Sequence, residues 1–493
     1  MPAYDTHQAL SDAPPRPGRR PFRRKSLEEC LAQSAAPDGQ LQRRFGVVTL
    51  TLFGIGTIVG LGIFVVTGEV AARSAGPAVT ISFLIASVIV ACAALCYAEL
   101  ASMVPVAGGS AYTYAYVTLG ELAAWLIAWD LLLEYLCGAA ALAIGWSGYS
   151  VRLASDVGVT VPASLTQGPL MMEGHSLAAS GAIVNLPAAL LILMAGLLIM
   201  LGTVSVARYG SIFVVLKLSV IALFVLFGLA HADAANWTPL VPEREMVNGV
   251  GRYGWAGVLA GVGLIFYSYL GFDTISTAAQ ETRDPQRTMP RAILAALAIC
   301  TVLYCLVALT MTGLVPFRTL DVPAPLYMAL DGGGAELAWL KPVVSFGGTV
   351  GLCSGVVAVL FAQSRIFYAM ARDGLLPTRF AQVSPRTGAP WQGVAISTII
   401  AAMLAAVMPI SLLGEFISAG TLLGFAVVCG SVIWLRISTP DAQRSFRVPV
   451  WPVTTSVALI GCIYFLATMS ETSFIRITIW MLIGGGIYFI RPR

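Results

Sequence analysis

Charge is what this sequence most conspicuously lacks. Its 493 residues include 29 Lys and Arg and 25 Asp and Glu, so charged side chains make up 11% of the chain, against about a quarter of an ordinary soluble domain. With 57% hydrophobic residues, too little polar surface remains to clothe a chain of this size in water. Histidine is scarce too. His7, His175 and His231 all fall outside or at the edges of apolar runs, which removes the Ser/His pairing of an intramembrane protease. Cysteines occur without any C-x-x-C or Cys/His spacing, so metal and redox sites are excluded and no cofactor is expected. The first 45 residues hold Arg and Pro but no apolar core, so a cleavable signal peptide is not expected. Together these absences exclude a soluble enzyme, a nucleic-acid binder and a secreted disulfide scaffold.

What is present is long uncharged sequence. Gly46–Gly68, Ser74–Ala98, Ala292–Phe317 and Val448–Ser470 carry no charge, and each exceeds the roughly 20 residues a spanning helix needs. The fold class is therefore all-α and polytopic in the membrane. Twelve candidate helices, numbered here as segments 1 to 12, cover about 46–71, 77–101, 119–147, 182–202, 209–230, 254–280, 291–315, 342–370, 391–408, 412–437, 451–469 and 474–490. An even count puts both termini on one side, and basic residues choose the side. The loops there hold Arg208, Arg283, Arg287, Arg291, Arg365, Arg372, Arg379, Arg386, Arg436, Arg444 and Arg447, more than the opposite loops, which hold Arg73, Arg152, Arg244, Arg252, Arg318, Lys341 and Arg476. Both termini are thus expected in the cytoplasm, with the chain multi-pass in the cell membrane. Residues 1–44 form a basic arm, whose run Arg16 to Lys25 can meet anionic lipid headgroups or merely reinforce topology. The outer loop of about 150–181, with His175, has no recognisable motif.

Two segments carry interruptions at bilayer depth. Segment 1 reads GIGTIVGLGIF over residues 54–64, and segment 6 reads FYSYLGFD over residues 266–273. They sit five helices apart, as corresponding members of two five-helix repeats would, which points to a transporter site at the repeat interface; close small-residue packing is the alternative. An unwound segment 1 aims N–H groups and a positive helix end into the cavity near Gly62, which suits a carboxylate. Segment 6 would present carbonyls of Tyr267, Ser268 and Leu270 to an ammonium group. One site with both fits the head group of an α-amino acid, and Gly60 and Gly62 let it approach the backbone. Among the aromatic residues near the breaks, Tyr267 is the candidate gate. RIFYAMARDGLLP, at 365–377, closes segment 8 as a loop and inner-gate anchor.

Three ionisable groups lie deep in spans outside the breaks: Asp130, Glu134 and Lys217. Such residues are costly in the membrane, so they are functional candidates. Asp130 and Glu134 stand at i and i+4 and share a helix face.

The strings GIGTIVGLGIF, FYSYLGFDTISTAAQETRDPQRTMP, LLLEYLCGAAALAIGWSGY and AQSRIFYAMARDGLLP resemble bacterial members of the cationic amino acid transporter family, within the amino acid-polyamine-organocation superfamily. The resemblance runs from Phe45 to Arg491. It implies a leucine-transporter-type fold, with segments 1–5 and 6–10 as inverted repeats and segments 11 and 12 appended, and proton-linked amino acid uptake. It places substrate at positions matching Ile58, Leu61, Gly62, Tyr267, Ser268 and Leu270, and matches Glu134 to a cavity-lining Glu. Relatives usually carry Thr where this chain has Leu61, so one hydroxyl donor is missing. Lys217 matches the lysine that replaces a sodium ion in proton-coupled members; its amine would bond segment 1 carbonyls near Gly56 or Thr57 and exchange a proton as the site opens. An amino acid/polyamine antiporter and a non-transporting sensor are the alternatives. Expected partners are amino acid, protons and membrane lipids.

Overall fold

The computed structural model describes residues 21–26, 29, 46–104, 111–173, 176–201, 204–247, 250–269, 271–277, 282–384 and 390–490. Leu270, His175 and Arg386 therefore lie outside the described residues, as does most of the basic arm. Among the described residues, seven helical runs are long and apolar enough to cross a membrane, with four shorter apolar helices at Leu186–Leu201, Gly254–Ile265, Trp391–Val407 and Trp451–Ala467. The first of the seven, Val47–Met103, has 57 residues. At 1.5 Å per residue that is about 85 Å, nearly three times the hydrocarbon thickness. It folds back at Gly76, whose φ of +62° only glycine adopts easily, so it supplies both segment 1 and segment 2.

Among the described residues, helical stretches fall within each of the twelve segments, with ends that differ from the sequence reading. Segment 3 runs over Glu121–Asp156 and segment 7 over Pro285–Leu314: the first continues through Gly148, which packs against Pro323, with no proline to stop it, and Pro285 can open the second without losing a bond. Arg152, Arg287, Arg291, Arg365, Arg372 and Arg436 consequently lie on helix ends, not in loops, and Arg208 lies within Val204–Ala230. A short helix that the hydropathy pattern did not announce, Ala111–Thr118, is buried along its whole length against segments 3 and 10. The connection after segment 3 holds a two-stranded antiparallel hairpin, Leu170–Glu173 with Ser176–Ala179. The hairpin sits where Gly168 abuts the Val407 carbonyl, so the loop is docked on the end of segment 9.

Segment 3 is central, with most of its apolar stretch buried in protein, whereas little of segment 12 (Glu471–Ile490) is. Segment 8 (Leu340–Arg372) runs antiparallel along segment 3: Gly348 packs on Tyr149, Leu352 faces Gly145 and Gly355 faces Leu142. One end of the bundle is locked by a buried ion network. Glu99 of segment 2 takes two bonds from Arg436 of segment 10, at 2.9 and 2.6 Å. It also lies 3.3 Å from Arg444 and accepts the Val448 amide. The same face carries the segment Pro21–Ser26, where Lys25 pairs with Asp373 at 2.9 Å and Tyr112 donates to the other oxygen of that carboxylate at 2.6 Å.

Candidate functional site

Segment 1 is helical over Val47–Ile58, loses helical geometry at Val59 and Gly60, and resumes at Leu61 with a π-type turn over Gly62–Val66. The resumed helix leaves its first N–H groups without intrahelical acceptors, and these belong to Leu61, Gly62 and Ile63. Segment 6 is helical over Gly254–Ile265, tightens to a 3₁₀ turn over Phe266–Tyr269, and restarts at Phe272 after Gly271 with φ +116°. Both interruptions read from the glycine spacing are therefore present, and they touch. A Cβ on Gly62 would stand 2.5 Å from the Ser268 Cβ and 2.8 Å from the Tyr304 hydroxyl. Gly60 is less confined, the nearest atom to such a Cβ being Leu142 Cδ2 at 3.2 Å.

The broken backbone is largely satisfied from inside the protein. The Lys217 amine, fully buried, donates to the carbonyls of Gly56 and Val59, both at 2.6 Å. Gly56 is one of the two acceptors the sequence reading named; Val59 replaces Thr57, because the chain leaves the helix just there and turns that carbonyl outward. Thr57 instead crosses to segment 6, donating to the Gly271 carbonyl at 2.9 Å. Tyr304 of segment 7, which the sequence reading missed, donates to the Ile58 carbonyl at 2.9 Å and also meets the Ser268 carbonyl. The Ser268 carbonyl is thus not open, as the sequence reading expected it to be for an ammonium group. Phe83 stacks on Tyr304 at 4.9 Å, which holds the ring in place.

The Ser268 hydroxyl, in contrast, is buried against Gly62 with no hydrogen-bond partner among the described residues. Leu61, 6% exposed, brings no hydroxyl to this place, so Ser268 is the donor at hand. The backbone of Tyr267 lies in the 3₁₀ turn.

Three buried carboxylates gather on the other side. Asp273, at the restart of segment 6, accepts from the Tyr135 hydroxyl at 2.6 Å and from the Gly271 amide at 3.1 Å. Glu134 takes the Thr421 hydroxyl on one oxygen at 2.7 Å, while its other oxygen has no partner. Asp130 is buried with neither oxygen bonded among the described residues, and its carboxylate and the Cβ of Glu134 both border Gly420 of segment 10. Continuing the antiparallel register of segments 3 and 8 brings Gln363, whose buried amide also lacks partners, to the level of Glu134. Asp273 was legible in the quoted segment 6 string but was passed over as part of the break; Gln363 gave no signal beyond being polar in a span.

The arrangement is that of a multi-pass membrane transporter, with two touching helix interruptions instead of a catalytic constellation. The chain belongs to the amino acid permease family, whose model matches residues 45–488. It is 39% identical to a methylthioribose transporter of Bacillus subtilis over 96% of this chain and 98% of the relative. A branched-chain amino acid permease of the same organism is 36% identical, over 96% and 97%. A vacuolar cationic amino acid transporter of Arabidopsis thaliana is 37% identical, over 85% of this chain and 67% of the relative.

Proposed function

We propose that this protein is a proton-coupled secondary transporter of amino acids, working by alternating access with twelve spans in two inverted five-helix repeats plus two further helices. Both termini lie in the cytoplasm and the chain resides in the cell membrane. The single observation that carries this reading is the buried Lys217 amine on the carbonyls of Gly56 and Val59, at the interruption itself. An amine there occupies the place of a coupling cation, and it can exchange a proton only when the interruption opens to water.

The substrate head group is held by the two interruptions. Its carboxylate meets the amides of Leu61, Gly62 and Ile63 and the Ser268 hydroxyl, with Gly60 and Gly62 leaving room. Its ammonium takes carbonyls around Ile58, Tyr267, Ser268 and Leu270, and must displace the Tyr304 hydroxyl to reach two of them. Glu134 faces the side chain and sets charge preference. The test is uptake into proteoliposomes of defined internal pH: acid outside should drive accumulation without sodium, and sodium-dependent uptake or indifference to the pH gradient would contradict the assignment.

A second reading has its own support. Leu61 brings no hydroxyl for a carboxylate, the acidic side offers several unfilled acceptors to hydroxyl groups, and one relative is named for methylthioribose. A neutral polyhydroxylated ligand would then replace the amino acid. Thermal stabilisation by a panel containing both classes decides between them, since ligand at one hundred times Kd adds about 2.7 kcal/mol.

A further inference from the structure

We infer that the groove between segment 12 and its neighbours is a binding site for an anionic phospholipid, with an acyl chain in the groove and the headgroup at the basic segment Pro21–Ser26. The groove encloses about 580 Å³ between segments 3, 10, 11 and 12. Its floor on segment 12 is one helical stripe, with Phe474, Ile477, Met481, Gly485 and Phe489 recurring at three- and four-residue spacing. From Phe474 to Phe489 the stripe rises about 22 Å, more than half of the roughly 30 Å hydrocarbon core, so an acyl chain of one leaflet can lie along it. The glycines explain why the groove is open. Gly484 is filled by Trp129, which packs 2.7 Å or less from where a Cβ would stand, whereas among the described residues nothing lies within 4 Å of such a Cβ on Gly485 or Gly486.

Charge at one end names the occupant. Leu122 lines the groove, and its amide donates to the Pro21 carbonyl at 3.1 Å, so the basic segment is hydrogen-bonded to the groove's own wall. Arg24 Cζ lies 4.7 Å from the centre of the Trp434 ring, a cation–π contact. Among the described residues Arg23 pairs loosely with Glu29 at 3.9 Å, and Phe22 is 84% exposed. Residues 16–25 contain no acidic side chain. Cations beside an exposed aromatic ring, at the mouth of a groove long enough for a chain, recognise a phosphate-bearing headgroup and its tail together.

The test is native mass spectrometry of the full chain in detergent with dioleoyl phosphatidylglycerol or dioleoyl phosphatidylcholine. The wild-type protein should retain one phosphatidylglycerol with a preference of about fivefold or more. Arg23→Gln with Arg24→Gln should reduce that preference to under about twofold. Gly485→Leu with Gly486→Leu, which fills open space and improves helix propensity, should lose both lipids. Equal retention of the two lipids by the wild type, or undiminished phosphatidylglycerol on the filled variant, overturns the proposal. So does a dimer mass that the filled variant abolishes, because a second copy would then own the groove.

Discussion

Lys217 and Asp130 are both fully buried ionisable side chains in the same bundle, and their surroundings are opposite. The amine has two carbonyl acceptors at 2.6 Å; the carboxylate has no hydrogen-bond partner among the described residues on either oxygen. A buried polar group left unpaired costs roughly 1–3 kcal/mol or more, so the basic side is satisfied as it stands, whereas the acidic side keeps unfilled hydrogen-bonding capacity among the described residues. The basic side braces the break in segment 1, and the acidic side, with Glu134 and Gln363, is where the proposed transporter would sort ligand side chains. The same contrast separates the two halves of the proposed head-group site. Carbonyls at Ile58 and Ser268 are already engaged by Tyr304, while the Ser268 hydroxyl is unengaged.

The largest effect is expected where the two interruptions touch. Gly62→Val drives a side chain into Ser268 and Tyr304, so amino acid binding should fall by at least about 100-fold, roughly 2.7 kcal/mol, in a protein that still inserts and purifies as a monodisperse species. Unaltered affinity by calorimetry would dissolve the distinction between the two sides. Next comes the basic side itself. Lys217→Met leaves the Gly56 and Val59 carbonyls unsatisfied, at roughly 1–3 kcal/mol each. It should lower thermal stability and abolish pH-driven accumulation in proteoliposomes while sparing equilibrium binding more than flux; wild-type accumulation would make the amine a bystander.

On the acidic side the effects are smaller and selective. Glu134→Gln keeps the bond to Thr421 possible but removes a charge, so affinity for arginine, lysine or ornithine should drop about tenfold more than that for alanine or serine, near 1.4 kcal/mol of discrimination. Equal losses in both classes would assign Glu134 to a helix–helix tie. The smallest change is Leu61→Thr, which adds a hydroxyl beside the segment 1 amides and should tighten carboxylate binding by one hydrogen bond, about 0.5–1.5 kcal/mol. A tenfold loss instead would mean that the leucine packs against the ligand itself.

Much of this contrast was legible before any coordinates, for physical reasons. Hydropathy marks helices that must satisfy their own backbone, and glycines at 54, 56, 60 and 62 mark where segment 1 does not. Lys217, Asp130 and Glu134 stood out because charge is rare in spans. The choice of Val59 over Thr57 as an acceptor could not be read, since it depends on the residue at which the helix is left. Tyr304 was invisible for a different reason: one tyrosine on an apolar helix looks like packing until its hydroxyl is seen across both breaks. Ala111–Thr118, rich in aromatic and β-branched residues, owes its helix to burial against segments 3 and 10, which no local propensity reveals.

The head-group assignment meets its most direct test in paired binding: titrate the wild-type protein with the amino acid that stabilises it most and with the methyl ester of that amino acid. Esterification removes the carboxylate charge and leaves the ammonium and side chain alone. Binding of the acid with loss of the ester by about 100-fold or more is the expected result, and equal binding of the two would contradict a carboxylate held at the interruption of segment 1.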